Sequence, residues 1–149
     1  MRATIRGADR LKDKLAALGA VGAGRALVTA LRAAALPIQN EAKRRAPYRS
    51  GTLSRGITTE VLSQGATRAR VAVSTSRIPY ARIQEYGGTI RAKAGGWLVF
   101  RGKSGNFVRV RQVTIPARPY LRPAFDTQKD AAVAEFGAAL RDLIDEAIR

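Results

Sequence analysis

The sequence predicts an α+β domain on three observations. Apolar residues recur at helical spacing near both ends, they alternate with polar residues through the middle, and a proline-rich corner joins the two patterns. The corner is Ile115 to Asp126, in which Pro116, Pro119 and Pro123 restrict the backbone and leave it little freedom to lose on folding. Pro116 and Pro119 push the residues before them toward extended geometry, while Pro123 suits the first turn of a helix, where a missing N–H costs nothing. The segment therefore reads as strand end, elbow and helix start. The expected architecture is one domain over residues 1–149. It is an antiparallel sheet of at least four strands, packed with a long helix in the N-terminal half and an amphipathic helix at the C-terminus.

In chain order, Leu11, Leu15 and Leu18 predict a short helix that Gly19 ends, and Gly19, Gly22 and Gly24 predict a flexible turn. Leu27, Leu31, Ile38 and Ala42 then mark a long alanine-rich helix to about Arg45, and Pro37 predicts a kink or break near Ala33 to Leu36. Lys43, Arg44 and Arg45 suit the negative end of that helix, and Pro47 stops it. Ile57, Thr59 and Val61 alternate, as do Val71 and Val73, so a β-hairpin turns through Gln64–Thr67. Tyr80–Tyr86 predicts one or two helical turns against the sheet, ended by Gly87 and Gly88.

Trp97–Phe100 and Phe107–Arg111 predict a second hairpin, turning through Gly102–Asn106, with one face of its second strand in the core and the other arginine. After the corner, Phe125, Val133, Phe136, Leu140, Leu143, Ile144 and Ile148 form one apolar stripe. Asp126, Asp130, Glu135, Asp142, Asp145 and Glu146 lie mostly off it.

Composition narrows the function. Zero cysteines and zero histidines remove disulfides, thiolate catalysis and the commonest general base and metal ligand. No apolar run approaches the ~20 residues a membrane-spanning helix needs, and Met1–Gly7 has no signal-peptide character, so a cytoplasmic protein is expected. Net charge is +16 and unevenly spread: residues 42–122 hold seventeen Lys/Arg against two acids, residues 123–149 three against six. A polyanionic neighbour, nucleic acid or an acidic protein surface, fits the basic body, and in an oligomer the acidic last helix could lie against the basic body of the next subunit.

Arg68, Arg70, Arg91, Lys93, Arg101, Lys103, Arg109 and Arg111, all on strands or turns, are the candidate contacts to DNA or to an acidic partner. Without a zinc finger, a helix-turn-helix or a paired-aromatic strand, any DNA contact would be to phosphate and indifferent to sequence. Two catalytic-looking fragments fail on context. Glu41-Ala42-Lys43 resembles the end of a metal-nuclease motif without its other carboxylates, and Gly102-Lys103-Ser104 has Trp97 where a phosphate loop needs glycine. No enzyme, metal, cofactor or small-molecule substrate is expected.

Three segments in order resemble the neck and tail-completion family of long-tailed bacteriophages, the gene-product-ten-like tail components also found in prophages and gene transfer agents. They are Ala42–Pro47 followed by Ser50-Gly51-Thr52-Leu53 and Gly56-Ile57; Tyr80-Ala81 with Glu85-Tyr86-Gly87-Gly88-Thr89; and Pro116–Ala124. The short leucine helix after Ile5 and Gly7 fits as well. Ser50 stands where the family often has Thr, Tyr120 where Phe is common, and Gly88 lengthens the usual glutamate-aromatic-glycine-threonine run.

The resemblance implies a virion protein of the head–tail neck, assembled in the host bacterial cytoplasm. It would form a homo-oligomeric ring around the DNA path and touch neck proteins on the portal side and tail proteins on the terminator side. The motif residues carried over as interaction candidates are Pro47, Gly51, Leu53, Tyr80, Glu85, Tyr86, Gly87, Pro116, Arg118, Pro119, Tyr120, Leu121, Arg122 and Pro123. The rival reading of the charge is a free, sequence-independent DNA-binding protein.

Overall fold

The computed structural model describes residues 19–75, 77–102 and 104–147, and two helices of 27 residues dominate it, α1 (Gly19–Arg45) and the last helix (Leu121–Ala147). They run antiparallel. Ala26 and Ala30 near the start of α1 pack with Leu140 and Ile144, while Ala42 and Ala46 at its end pack with Tyr120 and Ala124. Both buried rows keep to every fourth residue: Ala26, Ala30, Ala34 and Ala42 on one side, Ala124, Ala132, Leu140 and Ile144 on the other. Rows at that spacing are the ridges that interdigitate in the commonest helix packing, and alanine at the contact lets the axes come close.

Three expectations for these helices are corrected. On the last helix Phe125 and Val133 are 54% and 71% exposed, not core. Each stands one place after a buried alanine, and choosing the large apolar residues selects a neighbouring row. Phe136 and Leu143 do pack against the core, and Ile148 lies outside the described residues. On α1 the glycines expected to turn lie in its first turns. Gly24 is there for close approach, since a Cβ on it would stand 2.9 Å from the carbonyl oxygen of Gly65. The predicted break at Pro37 is also absent, and the helix runs unbroken through it. Proline removes one donor, but Ala34, Ala35 and Ala42 are buried on both sides of it and hold the register. The helix expected from Leu11, Leu15 and Leu18 lies outside the described residues.

After α1 come a one-turn helix, α2 (Thr52–Arg55), and the predicted hairpin of β1 (Thr58–Gln64) with β2 (Ala69–Ser74). The hairpin packs on α1, and Gln39 ties it there by donating to the Ile57 carbonyl at 3.1 Å and accepting from Thr59 Oγ1 at 2.7 Å. Its register shifts between Val61 and Ser63, leaving Leu62 exposed at the irregularity. Then follow α3 (Ala81–Tyr86), β3 (Gly88–Arg91), β4 (Leu98–Arg101), β5 (Phe107–Val110), β6 (Gln112–Ile115) and the last helix, α4.

The expected sheet of four or more strands does not form among the described residues; three separate two-stranded antiparallel ladders do. β4 pairs with β5 as predicted, but β3 pairs with β6 outside them, so residues 88–115 are one long ribbon folded back on itself. Gly95 and Gly96 interrupt one strand and a bend at Arg111 the other, and neither ladder supplies the fully apolar face that lateral growth onto the β1–β2 hairpin would bury. We call this ribbon the arm. No helix among the described residues is long and apolar enough to cross a membrane.

Candidate functional site

The chemistry of the chain divides between a buried knot and the exposed arm. The knot forms where the end of α1, the loop into α2, α3 and the proline corner meet, and its core is Ala42, Ala46, Leu53, Ile57, Ala81, Tyr120 and Ala124. Each of the three motif segments contributes side chains to this one cluster. Among the described residues, Tyr120 and Ile57 are the largest fully buried side chains. The Tyr120 hydroxyl lies 3.3 Å from Thr75 Oγ1. Burial pushes it above the ordinary tyrosine value of 10.0, the Thr75 hydrogen bond opposes that shift, and the negative charge of Glu85 adds to it.

Glu85 is the centre of the knot. It is 5% exposed, and its carboxylate accepts the backbone N–H groups of Tyr120 at 2.7 Å, Leu121 at 2.9 Å and Arg122 at 2.9 Å. These are the orphan donors at the start of α4; the next residue, Pro123, has none to offer. One side chain, reaching across from α3, therefore caps the whole first turn of a helix 35 residues away, where the helix dipole also favours negative charge. Arg118 N–H donates to the Gln84 carbonyl at 2.7 Å, closing the corner onto α3. Gly87 makes the approach feasible, with φ of 68° and a hypothetical Cβ only 2.7 Å from the Ala117 nitrogen.

The remaining motif residues lie around this knot, Gly51 buried, Pro47, Leu121 and Pro123 half-buried, and the others exposed. Pro47, Gly51, Tyr80 and Arg118 line a cleft near the base of the arm, into which Ile90 and Ile115 of the arm also project. Tyr86, Leu121 and Arg122 line a second, largely apolar groove between α1, β2 and α4. Pro116 and Pro119 are exposed on the corner and Pro123 is half-buried in the first turn of α4. Glu41, the residue of the nuclease-like fragment, is buried and engaged by Arg44 and by Arg45 Nε, the latter at 2.5 Å. Among the described residues no three of His, Cys, Asp and Glu come together as a metal site.

The arm holds most of the candidate cations. Arg91 is on β3, Lys93 just beyond it, Arg101 on β4, Arg109 on β5 and Arg111 at the bend; all are exposed. Arg68 and Arg70 are exposed on a different element, the β1–β2 hairpin, and Lys103 lies outside the described residues. Register places Val99 opposite Arg109 and Arg101 opposite Phe107, so these four share one face, while Leu98, Phe100, Val108 and Val110 share the other. The expected core face is thus Val108 and Val110, half-buried; Phe107 stands with the arginines instead, 80% exposed. The guanidinium groups of Arg109 and Arg111 lie over the Trp97 ring at 4.5 and 4.2 Å from its centre. Sequence reasoning named the arginines and an arginine face on the second strand, but not the Trp97, Val99 and Phe107 that join it. The signal was the alternation of Phe107, Arg109 and Arg111 together with Trp97.

A model of the family described as "Bacteriophage HK97-gp10, putative tail-component" matches residues 9–87, more than half of the chain. The chain belongs to this family of phage tail components. The matched range holds α1, the first hairpin and α3, and ends where the arm begins. No curated protein and no solved structure matched the chain.

Proposed function

We propose that this protein is a structural component of the head–tail connection of a long-tailed phage, an oligomer around the DNA path that joins or completes the tail at the head. Family membership carries the reading, since a tail component is a part of the virion. It acts by binding other neck and tail proteins, on the portal and stopper side and on the terminator side, without catalysis or cofactor. The distribution of its chemistry supports this. The buried acids Glu41 and Glu85 are taken up in internal contacts, and the arm presents Val99, Arg101, Phe107 and Arg109 to solvent. Repeated by symmetry, many modest contacts give a firm assembly. Stepwise disruption of purified particles tests the reading: mass spectrometry and electron microscopy should find the chain with the neck in a fixed number of copies. Absence from particles would overturn it.

A second reading, a free sequence-independent DNA binder, draws on the net charge of +16. It requires that the isolated protein bind duplex DNA with a log–log salt slope of about −0.9 per phosphate neutralised. Weak binding of the isolated protein with a shallow slope would remove it.

A further inference from the structure

Two surfaces of this chain are exposed, differ in charge, and match. The first is the arginine–aromatic face of the arm. Residues 88–115 carry six Lys/Arg and no acid, and Val99 is 62% exposed beside Phe107. Arginine among large aromatic and apolar groups is the composition found at the energetic centres of protein interfaces. The Trp97 ring is stacked beneath the arm's own guanidinium groups, an arrangement that holds the cations in place.

The second surface is the outer ridge of α4. Asp126, Asp130, Ala134, Ala138, Asp142 and Glu146 repeat every fourth residue and are all exposed. They run two places out of step with the buried row of Ala124, Ala132, Leu140 and Ile144, so the ridge lies on the side of α4 turned away from α1. Its ends are acidic, its middle is flat alanine, and exposed Val133 adjoins it. The ridge spans roughly 30 Å at the helical rise. Among the described residues none of its four carboxylates is in an ion pair with the arm.

We propose that the arginine–aromatic face of the arm docks on the α4 ridge of a second copy of this chain. The inference rests on the oligomeric reading above and assigns its contact surfaces. Arg101 and Arg109 pair with carboxylates of the ridge, and Val99 and Phe107 cover the alanine saddle and Val133. Because the two surfaces are different patches of one chain, the contact is heterologous: each copy gives an arm and receives one, and the series closes into a ring when the rotation between copies divides a full turn.

Charge exchange tests this directly. The double variants Arg101→Glu/Arg109→Glu and Asp130→Lys/Asp142→Lys change exposed residues only and should keep the helical circular dichroism of the parent. Each alone should self-associate at least about tenfold more weakly by sedimentation. Mixed in equal amounts, they should recover assembly, since every acidic arm then meets a basic ridge and every basic arm an acidic one. The chain has no cysteine, so Val99→Cys/Val133→Cys should also give disulfide-linked multimers on oxidation and no other crosslink. Unchanged self-association of the single reversals, failure of the mixture to recover, or a parent that stays monomeric at high concentration would overturn the proposal. Loss of duplex DNA binding in the arm variant with assembly intact would assign the arm to DNA instead and overturn it equally. Particle composition is a separate readout. A chain present in purified necks but without the crosslink sinks this contact and leaves the neck reading standing.

Discussion

The knot and the arm use similar residues to opposite ends. In the knot a carboxylate is buried and fully engaged by three backbone donors, glycine permits backbone contact, and aromatic bulk is enclosed. On the arm, arginines and aromatics of equal size are exposed, with each ladder paired only internally. The difference shows that the motif residues buried in the knot hold the chain together, whereas the exposed arginine–aromatic face of the arm follows no motif and lies beyond the family match. A motif of scattered polar and glycine residues marks a place where three segments must meet, before it marks a binding surface.

Substitutions can break or sharpen that contrast. The largest effect should come from Glu85→Ala, which strips three buried or half-buried N–H groups of their acceptor; a loss of about 3 kcal/mol or more is expected in denaturant unfolding. A loss under ~1 kcal/mol would mean water caps α4 as well as the carboxylate does. Gly87→Val comes next, at roughly 2–4 kcal/mol, because its side chain would enter the Ala117 backbone from a positive-φ residue.

Tyr120→Phe should cost about 1 kcal/mol through the Thr75 hydrogen bond, and it also has a pH signature. Burial raises the folded pKa of Tyr120 above the unfolded value, so the folded state holds that proton more tightly. The resulting stability is fully present below about pH 10 and is lost as pH rises through the folded pKa. The Phe variant should therefore lose stability less steeply than the parent above that pH. Matching alkaline slopes in parent and variant would show that the hydroxyl is hydrated. The smallest effect belongs to the arm: Arg109→Ala should change unfolding by no more than ~0.5–1 kcal/mol, the worth of an exposed cation–π contact, while self-association falls.

Much of this fold was legible in the sequence, and the exceptions have physical causes. The corner, the first hairpin and α3 followed from proline geometry, alternation and a glycine stop, all local effects. The face of α4 was read only in part: Phe136, Leu140, Leu143 and Ile144 pack as expected, but much of the interface is built from alanines, and the large side chains Phe125 and Val133 point elsewhere. The separate ladders could not be read, because pairing β3 with β6 across twenty-odd residues is a non-local choice that alternation within each strand does not encode. The cap on α4 was also hidden. Glu85 was visible as a motif residue, but nothing near it in sequence says that its partners begin 35 positions later.

The arm leaves the body at Gly88 and returns at Ile115, and these two residues are paired neighbours across the ladder. The chain therefore enters and leaves the whole 28-residue ribbon through one paired doorway. Residues can be added or removed symmetrically beyond that doorway at little more than the slow logarithmic cost of closing a longer or shorter loop. Reach can thus change while the anchoring stays fixed.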